Sequence, residues 1–184
     1  MDKFVKFFKI DTLEHIQQEL KSFANSFGLN DEQSAKGFNI TPQIAKTKLP
    51  ILDDWLNKTY NTYPVALKFY ITPPHKTMHP HIDGNSINPF PFGINIPVEN
   101  CSESETFFYA CDKDNIREHN VGSVTSRIPL DKTKLTLLKS YVIDKPCWIN
   151  TSVMHSMKNY SKKSRTMFLI RWGVFIKTHK EILK

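Results

Sequence analysis

The stretch Arg165-Thr166-Met167-Phe168-Leu169-Ile170-Arg171-Trp172 reads as a β-strand with two unlike faces. Side chains alternate across a strand, so Arg165, Met167, Leu169 and Arg171 share one face, and Thr166, Phe168, Ile170 and Trp172 share the other. The pattern extends to residue 175 and belongs to a series of short β segments that begins after Pro64. The others cover residues 65–71, 78–82, 92–98, 106–110, 123–128, 140–143, 147–150 and 153–159, punctuated by turn chemistry such as Thr72-Pro73-Pro74-His75 and Asp144-Lys145-Pro146. Such spacing predicts a sandwich or jelly roll.

The preceding third of the chain is of another kind. Residues 3–10 read as a strand, and Asp11-Thr12-Leu13-Glu14 has the form of a capping box. Leu13, Ile16, Leu20, Phe23 and Phe27 then recur at spacings of three and four before Gly28, which predicts an amphipathic helix. Residues 30–48 read as polar and turn-rich. Pro50 opens a second helix over 51–60, whose Leu52, Trp55 and Leu56 suit packing on a sheet. The expectation is a mainly β (α+β) fold in one domain, 1–184, with a strand and bracing helices in 1–63 and the jelly-roll core in 64–176. Residues 85–91, with Asn88-Pro89-Phe90-Pro91, and 112–120 read as polar loops that could border a substrate.

Composition sets limits on function. No apolar stretch approaches the roughly eighteen residues of a membrane span. The N-terminal Phe4-Val5-Lys6-Phe7-Phe8-Lys9-Ile10 is too short and too lysine-interrupted for a signal peptide, so a cytoplasmic protein without a membrane partner is expected. Cys101, Cys111 and Cys147 are odd in number and lack metal-type spacing, which favours reduced thiols. The net charge of +7 is spread along the chain without the basic and aromatic stripe of a nucleic-acid platform. Nucleic acid is therefore a possible partner but not an indicated one.

The chemistry centres on Met78-His79-Pro80-His81-Ile82-Asp83-Gly84. Residues two apart on a strand share a face, so His81 and Asp83 can chelate one ion, and Gly84 permits a sharp departure of the backbone after them. Two imidazoles and a carboxylate on one face of an octahedral ferrous ion leave three positions open. The second imidazole would come from Trp148-Ile149-Asn150-Thr151-Ser152-Val153-Met154-His155-Ser156-Met157-Lys158-Asn159, and Arg165 follows His155 at the tenth position.

Together with Gly93-Ile94-Asn95-Ile96-Pro97-Val98-Glu99-Asn100-Cys101, these motifs resemble the iron(II)- and 2-oxoglutarate-dependent dioxygenases over about residues 65–175. The small members related to aspartyl/asparaginyl β-hydroxylases and prolyl hydroxylases are the most similar. The resemblance implies a double-stranded β-helix, or cupin-like jelly roll, with His81, Asp83 and His155 as catalytic Fe(II) ligands and Arg165 as anchor of the distal 2-oxoglutarate carboxylate. A guanidinium fork suits that role. His79 shares the parity of His81 but precedes the matching motif, so it is expected at the rim. Arg171 shares Arg165's face, where a salt bridge or a substrate contact would account for it.

Many members of the family place a serine two residues after this arginine. Here the position is Met167, so another donor must complete the anion pocket, and Tyr70, Asn95 and Tyr109 are the candidates. Asn95 resembles, in its strand position, a polar co-substrate contact of the aspartyl-hydroxylase relatives. Trp148 and Phe92 are read as packing residues. The implied activity is hydroxylation of an unidentified prime substrate by dioxygen, with succinate and carbon dioxide released from 2-oxoglutarate. Two alternatives stay open: another metal-dependent cupin-like enzyme, which would not need Arg165, and a jelly-roll binding module without turnover.

Overall fold

The computed structural model describes residues 3–29, 36–121 and 124–173. In chain order the elements are β1 (Val5–Phe7), α1 (Leu13–Ser26), β2 (Lys36–Ile40), α2 (Pro42–Lys48), α3 (Pro50–Thr59), β3 (Ala66–Thr72), β4 (Thr77–Asp83) and β5 (Phe92–Glu99). They continue with β6 (Ser104–Ala110), β7 (Ile116–Val121), β8 (Val124–Pro129), β9 (Thr136–Tyr141), β10 (Cys147–Asn150), β11 (Met154–Asn159) and β12 (Arg165–Trp172). The strands form two six-stranded sheets, in the orders β1-β10-β5-β12-β3-β2 and β7-β8-β4-β11-β6-β9. Every pairing is antiparallel. This is the expected jelly roll.

The two faces of β12 explain how the layers stack. Phe168, Ile170 and Trp172 join Leu67, Phe69 and Ile71 of β3 and Ile94 and Ile96 of β5 in a core that lies under the helices. Ile16, Leu20 and Phe23 of α1 and Leu52 and Leu56 of α3 supply the cover, and the Phe69 and Phe168 rings meet edge to face at 4.9 Å. Each such side chain contributes about 1.5–3 kcal/mol by leaving water. The opposite face of β12 looks into the sandwich, where Met167 packs with Val5, Cys147, Ile149 and Phe108. Arg165 and Arg171 share that inner face and are 3% and 7% exposed.

Several elements differ from the sequence reading. The Thr12 side chain makes no cap bond at the start of α1. Instead Glu19 of α1 caps a neighbouring helix, its carboxylate accepting from the backbone N–H groups of Ile51 (2.9 Å) and Leu52 (3.0 Å) in the first turn of α3. Residues 30–48 are not only turns. They contain β2, an edge strand pairing with β3, and α2, with Thr41 as its N-cap and Pro42 at its start. The β2 signal is weak because only Phe38 and Ile40 face the helices, opposite Phe69 and Leu67, while Gly37 and Asn39 lie on the other side. Likewise 112–120 contains most of β7, another polar edge strand, and β9 begins at Thr136, in exposed residues. Residue 123 and residues 174–175 of the expected strands lie outside the described residues.

Candidate metal and anion site

Strand β4 places His81 and Asp83 on one face, and its neighbour β11 brings His155 directly opposite His81. A register shift in β11 follows between His155 and Met157. One ligand atom from each of the three residues lies within 4.8 Å of the others. Asp83 Oδ1 is 3.3 Å from His81 Nε2 and 3.9 Å from His155 Nε2. The backbone orients both rings in the same manner: Nδ1 of His81 lies 2.9 Å from the His79 carbonyl, and Nδ1 of His155 lies 2.9 Å from the Val153 carbonyl. Carbonyls only accept, so each Nδ1 carries the proton, and a neutral ring then turns a bare Nε2 lone pair toward Asp83. Two lone pairs and a carboxylate aimed at one point repel one another unless a cation lies between them, either a proton on one ring or a metal ion. The donor set fits a divalent metal held by two imidazoles and one carboxylate.

The electrostatics agree. Burial opposes ionisation of Asp83, but the Arg171 guanidinium, the bond with His81 and the fields of both imidazoles outweigh it and hold the carboxyl well below its ordinary range. Burial, reinforced by His81, pulls the His155 imidazole down to about 4. A carboxylate and a neutral imidazole are the ligand forms a metal requires. The turn after the ligand pair is built for close approach. Gly84 adopts φ +75°, and a Cβ there would collide with the Asn88 carbonyl and the Pro89 backbone. The Asp83 N–H leaves the strand ladder to donate to the Thr151 carbonyl at 3.2 Å, which ties the ligand strand to the turn between β10 and β11.

The two inner arginines of β12 have different surroundings. Arg171 donates from Nε to Asp83 Oδ2 at 2.8 Å and from Nη1 to Asn95 Oδ1 at 3.0 Å, so one oxygen of Asp83 is engaged and the other faces the imidazoles. Arg165 has no carboxylate partner among the described residues. Its Nε is buried without a hydrogen bond, and so is the Oγ1 of Thr72, its register partner on β3. Burial lowers the basicity of Arg165, partly offset by Cys101, Cys147 and Tyr70 around it. Asn159 fixes the ends of these strands, with its Nδ2 donating to the carbonyls of Thr72 and Pro73, both at 3.1 Å, and of Lys163 at 2.8 Å.

His81, Asp83 and His155 thus converge as expected, and Arg165 opens onto the same interior. Tyr70 faces inward near Asp83 and Arg165, and burial, followed by Asp83, raises its phenol above the ordinary value. Asn95 lies opposite Leu169 on the inner face, where it receives Arg171. The structure does not bring Tyr109 to the cluster. Phe108 of β6 points inward, with its ring 6.0 Å from that of His155, so alternation turns Tyr109 outward, where its hydroxyl lies 3.0 Å from Ser156 Oγ. His79 is exposed and meets Lys132. Thr72 and Lys68 were missed. Both share Tyr70's parity in β3, a signal that becomes legible only once the register against β12 is known.

No protein-family model matches the chain, and no curated protein matches it by sequence. Solved structures do. The carbocyclase SnoK from nogalamycin biosynthesis, described as non-heme and alpha-ketoglutarate-dependent, superimposes with a TM-score of 0.53 at 8% identity, over 90% of this chain and 76% of its own. HygX from Streptomyces hygroscopicus, crystallised with nickel and 2-oxoglutarate, gives 0.50 at 9% identity over 91% and 80%. Oxalate decarboxylase from Bacillus subtilis gives 0.39 at 8% identity, and the chain spans about a quarter (26%) of its length. At such identities the likeness concerns architecture: the chain has the jelly-roll fold of SnoK and HygX.

Proposed function

We propose that this protein is an iron(II)- and 2-oxoglutarate-dependent oxygenase that hydroxylates a second substrate. The observation that carries the reading is the meeting, inside one sandwich, of a cluster of two histidines and one aspartate with a buried arginine whose Nε has no partner among the described residues. His81, Asp83 and His155 would hold the ferrous ion. Arg165, with Thr72 and Tyr70 beside it, would hold the distal carboxylate of 2-oxoglutarate, the donor role left open by Met167. Iron and ketoacid together supply oxidation of a C–H bond by dioxygen, with succinate and carbon dioxide released.

The chain's own residues have separate tasks. Arg171 keeps Asp83 ionised and restrains its second oxygen, leaving the first free to ligate. The His79 and Val153 carbonyls hold both imidazoles in the ligating tautomer. Phe108, Ile149 and Met167 keep water from one side of the interior. A cupin-like enzyme that uses no ketoacid needs the three donors but gives Arg165 no counter-charge.

Calorimetric titration of 2-oxoglutarate into the protein loaded with inert Zn(II) tests the reading. Wild type should bind, Arg165→Lys should bind more weakly because the fork is lost, and Arg165→Met should lose at least about tenfold in affinity. Zinc affinity should survive both changes. Unaltered ketoacid affinity in a folded Arg165→Met protein would reject the anchor.

A further inference from the structure

The sandwich interior is apolar at one side and polar at the other. At the first, Phe4 stacks on Phe108 with ring centroids 5.0 Å apart, and Val5, Cys147, Ile149 and Met167 fill the space between the sheets. On the other side of β12 the inward positions are Lys68 and Tyr70 of β3 and Gly37 and Asn39 of β2. The opposed sheet places Ser126, paired with Asp83, and then His119 and Arg117 of β7 on the face that carries the metal ligands. His119 and Arg117 are exposed, so this is the side from which a substrate can enter.

Lys68 is half-buried here, and among the described residues no group forms a hydrogen bond or ion pair with its ammonium. It lies close enough to Asp83 and Arg171 to be influenced by both charges, and burial lowers its basicity. Its side chain crosses Gly37, where a Cβ would collide with its Cε and Nζ. The edge strand thus makes room for a lysine that has no ion-pair partner among the described residues. Lys68 pairs with Leu169 and Thr72 with Arg165, so the backbone positions that carry the two cations lie four strand positions apart, about 13 Å along the sheet. That spacing leaves Arg165 to the ketoacid and Lys68 to another group.

Charge balance points the same way. Lys68, Arg165 and Arg171 face Asp83 as the sole carboxylate among the residues named in this interior, while a divalent metal and the dianionic ketoacid cancel each other. Two positive charges remain in a partly dehydrated site. We infer that the substrate oxidised here carries an anionic group, a carboxylate or a phosphate, and that Lys68 receives it. The inference rests on the function proposed above and adds the substrate class.

The test is calorimetry on the full chain loaded with Zn(II) and 2-oxoglutarate, titrated with hexanoate, hexyl phosphate and the neutral hexanamide. At least one anion should bind about tenfold more tightly than the amide, and whichever does so distinguishes a carboxylate from a phosphate substrate. Lys68→Met should abolish that preference with 2-oxoglutarate affinity unchanged, and Lys68→Arg should restore it. If the amide binds wild type as tightly as both anions while the ketoacid still binds, the inference fails and the functional reading stands. Loss of ketoacid affinity in Lys68→Met would assign this lysine to the co-substrate and also overturn it. Failure of wild type to bind ketoacid would remove the functional reading, and the inference with it.

Discussion

Arg165 and Arg171 stand six positions apart on one strand face, and among the described residues only Arg171 has its charge answered by a carboxylate. A buried guanidinium without an anion is costly, and its retention is intelligible if a ligand supplies the charge. Thr72 permits a clean test, because its buried hydroxyl also lacks a partner among the described residues. Thr72→Val keeps the shape and removes a desolvated polar atom, so stability to urea should be unchanged or rise by up to about 1 kcal/mol. Affinity for 2-oxoglutarate should nevertheless fall severalfold in the same variant, by calorimetry. Equal affinity would exclude Thr72 from the anion pocket.

His155 gives a pH signature in the metal-free protein. Its folded value of about 4 lies below the ordinary 6.5, so between these values the unfolded chain takes up a proton that the native chain does not. Stability is then complete above about pH 6.5 and declines as the pH falls toward 4, by up to about 3 kcal/mol. Urea midpoints from pH 7 to 4.5 should show this slope, and His155→Asn should flatten it. At this scale the convergence of His81, Asp83 and His155 and the inward face of Arg165 were legible in the sequence, because strand parity and motif spacing are local properties. Tyr109 was not excluded, because polarity in a strand does not reveal which face looks inward.

At the scale of elements, β4 and its turn set the site. Gly84→Ala would force a side chain into the Asn88 and Pro89 backbone at positive φ, costing about 1–3 kcal/mol. Zinc affinity should fall with it, since the displaced turn follows Asp83 directly. Glu19→Ala offers the contrast. It uncaps α3 on the outer layer and should lower stability by about 1 kcal/mol while leaving zinc affinity at the wild-type value. Loss of metal in Glu19→Ala would show that the helical layer reaches the site. The central strands were readable because both of their faces carry a pattern. The edge strands β2 and β7 were not, since each holds only two apolar residues, Phe38 and Ile40 or Ile116 and Val121, too few to mark a face against the surrounding polar sequence.

At the scale of the molecule, one sheet is covered by helices and presents two arginines, a lysine and Asn95 to the interior, while the other presents the histidines and Asp83. The site exists only where the sheets face each other, which is why the pairing of Arg171 with Asp83, 88 positions away in sequence, could not be fixed from either motif alone. The central claim is that the three-residue cluster and Arg165 together hold iron and a ketoacid. Its most direct measurement is the visible spectrum on anaerobic addition of Fe(II) and then 2-oxoglutarate. The account predicts a metal-to-ligand charge-transfer band that requires both additions, is absent in Asp83→Ala, and needs far higher ketoacid in Arg165→Met. A folded wild-type protein that binds Fe(II) but develops no such band at saturating 2-oxoglutarate would contradict it.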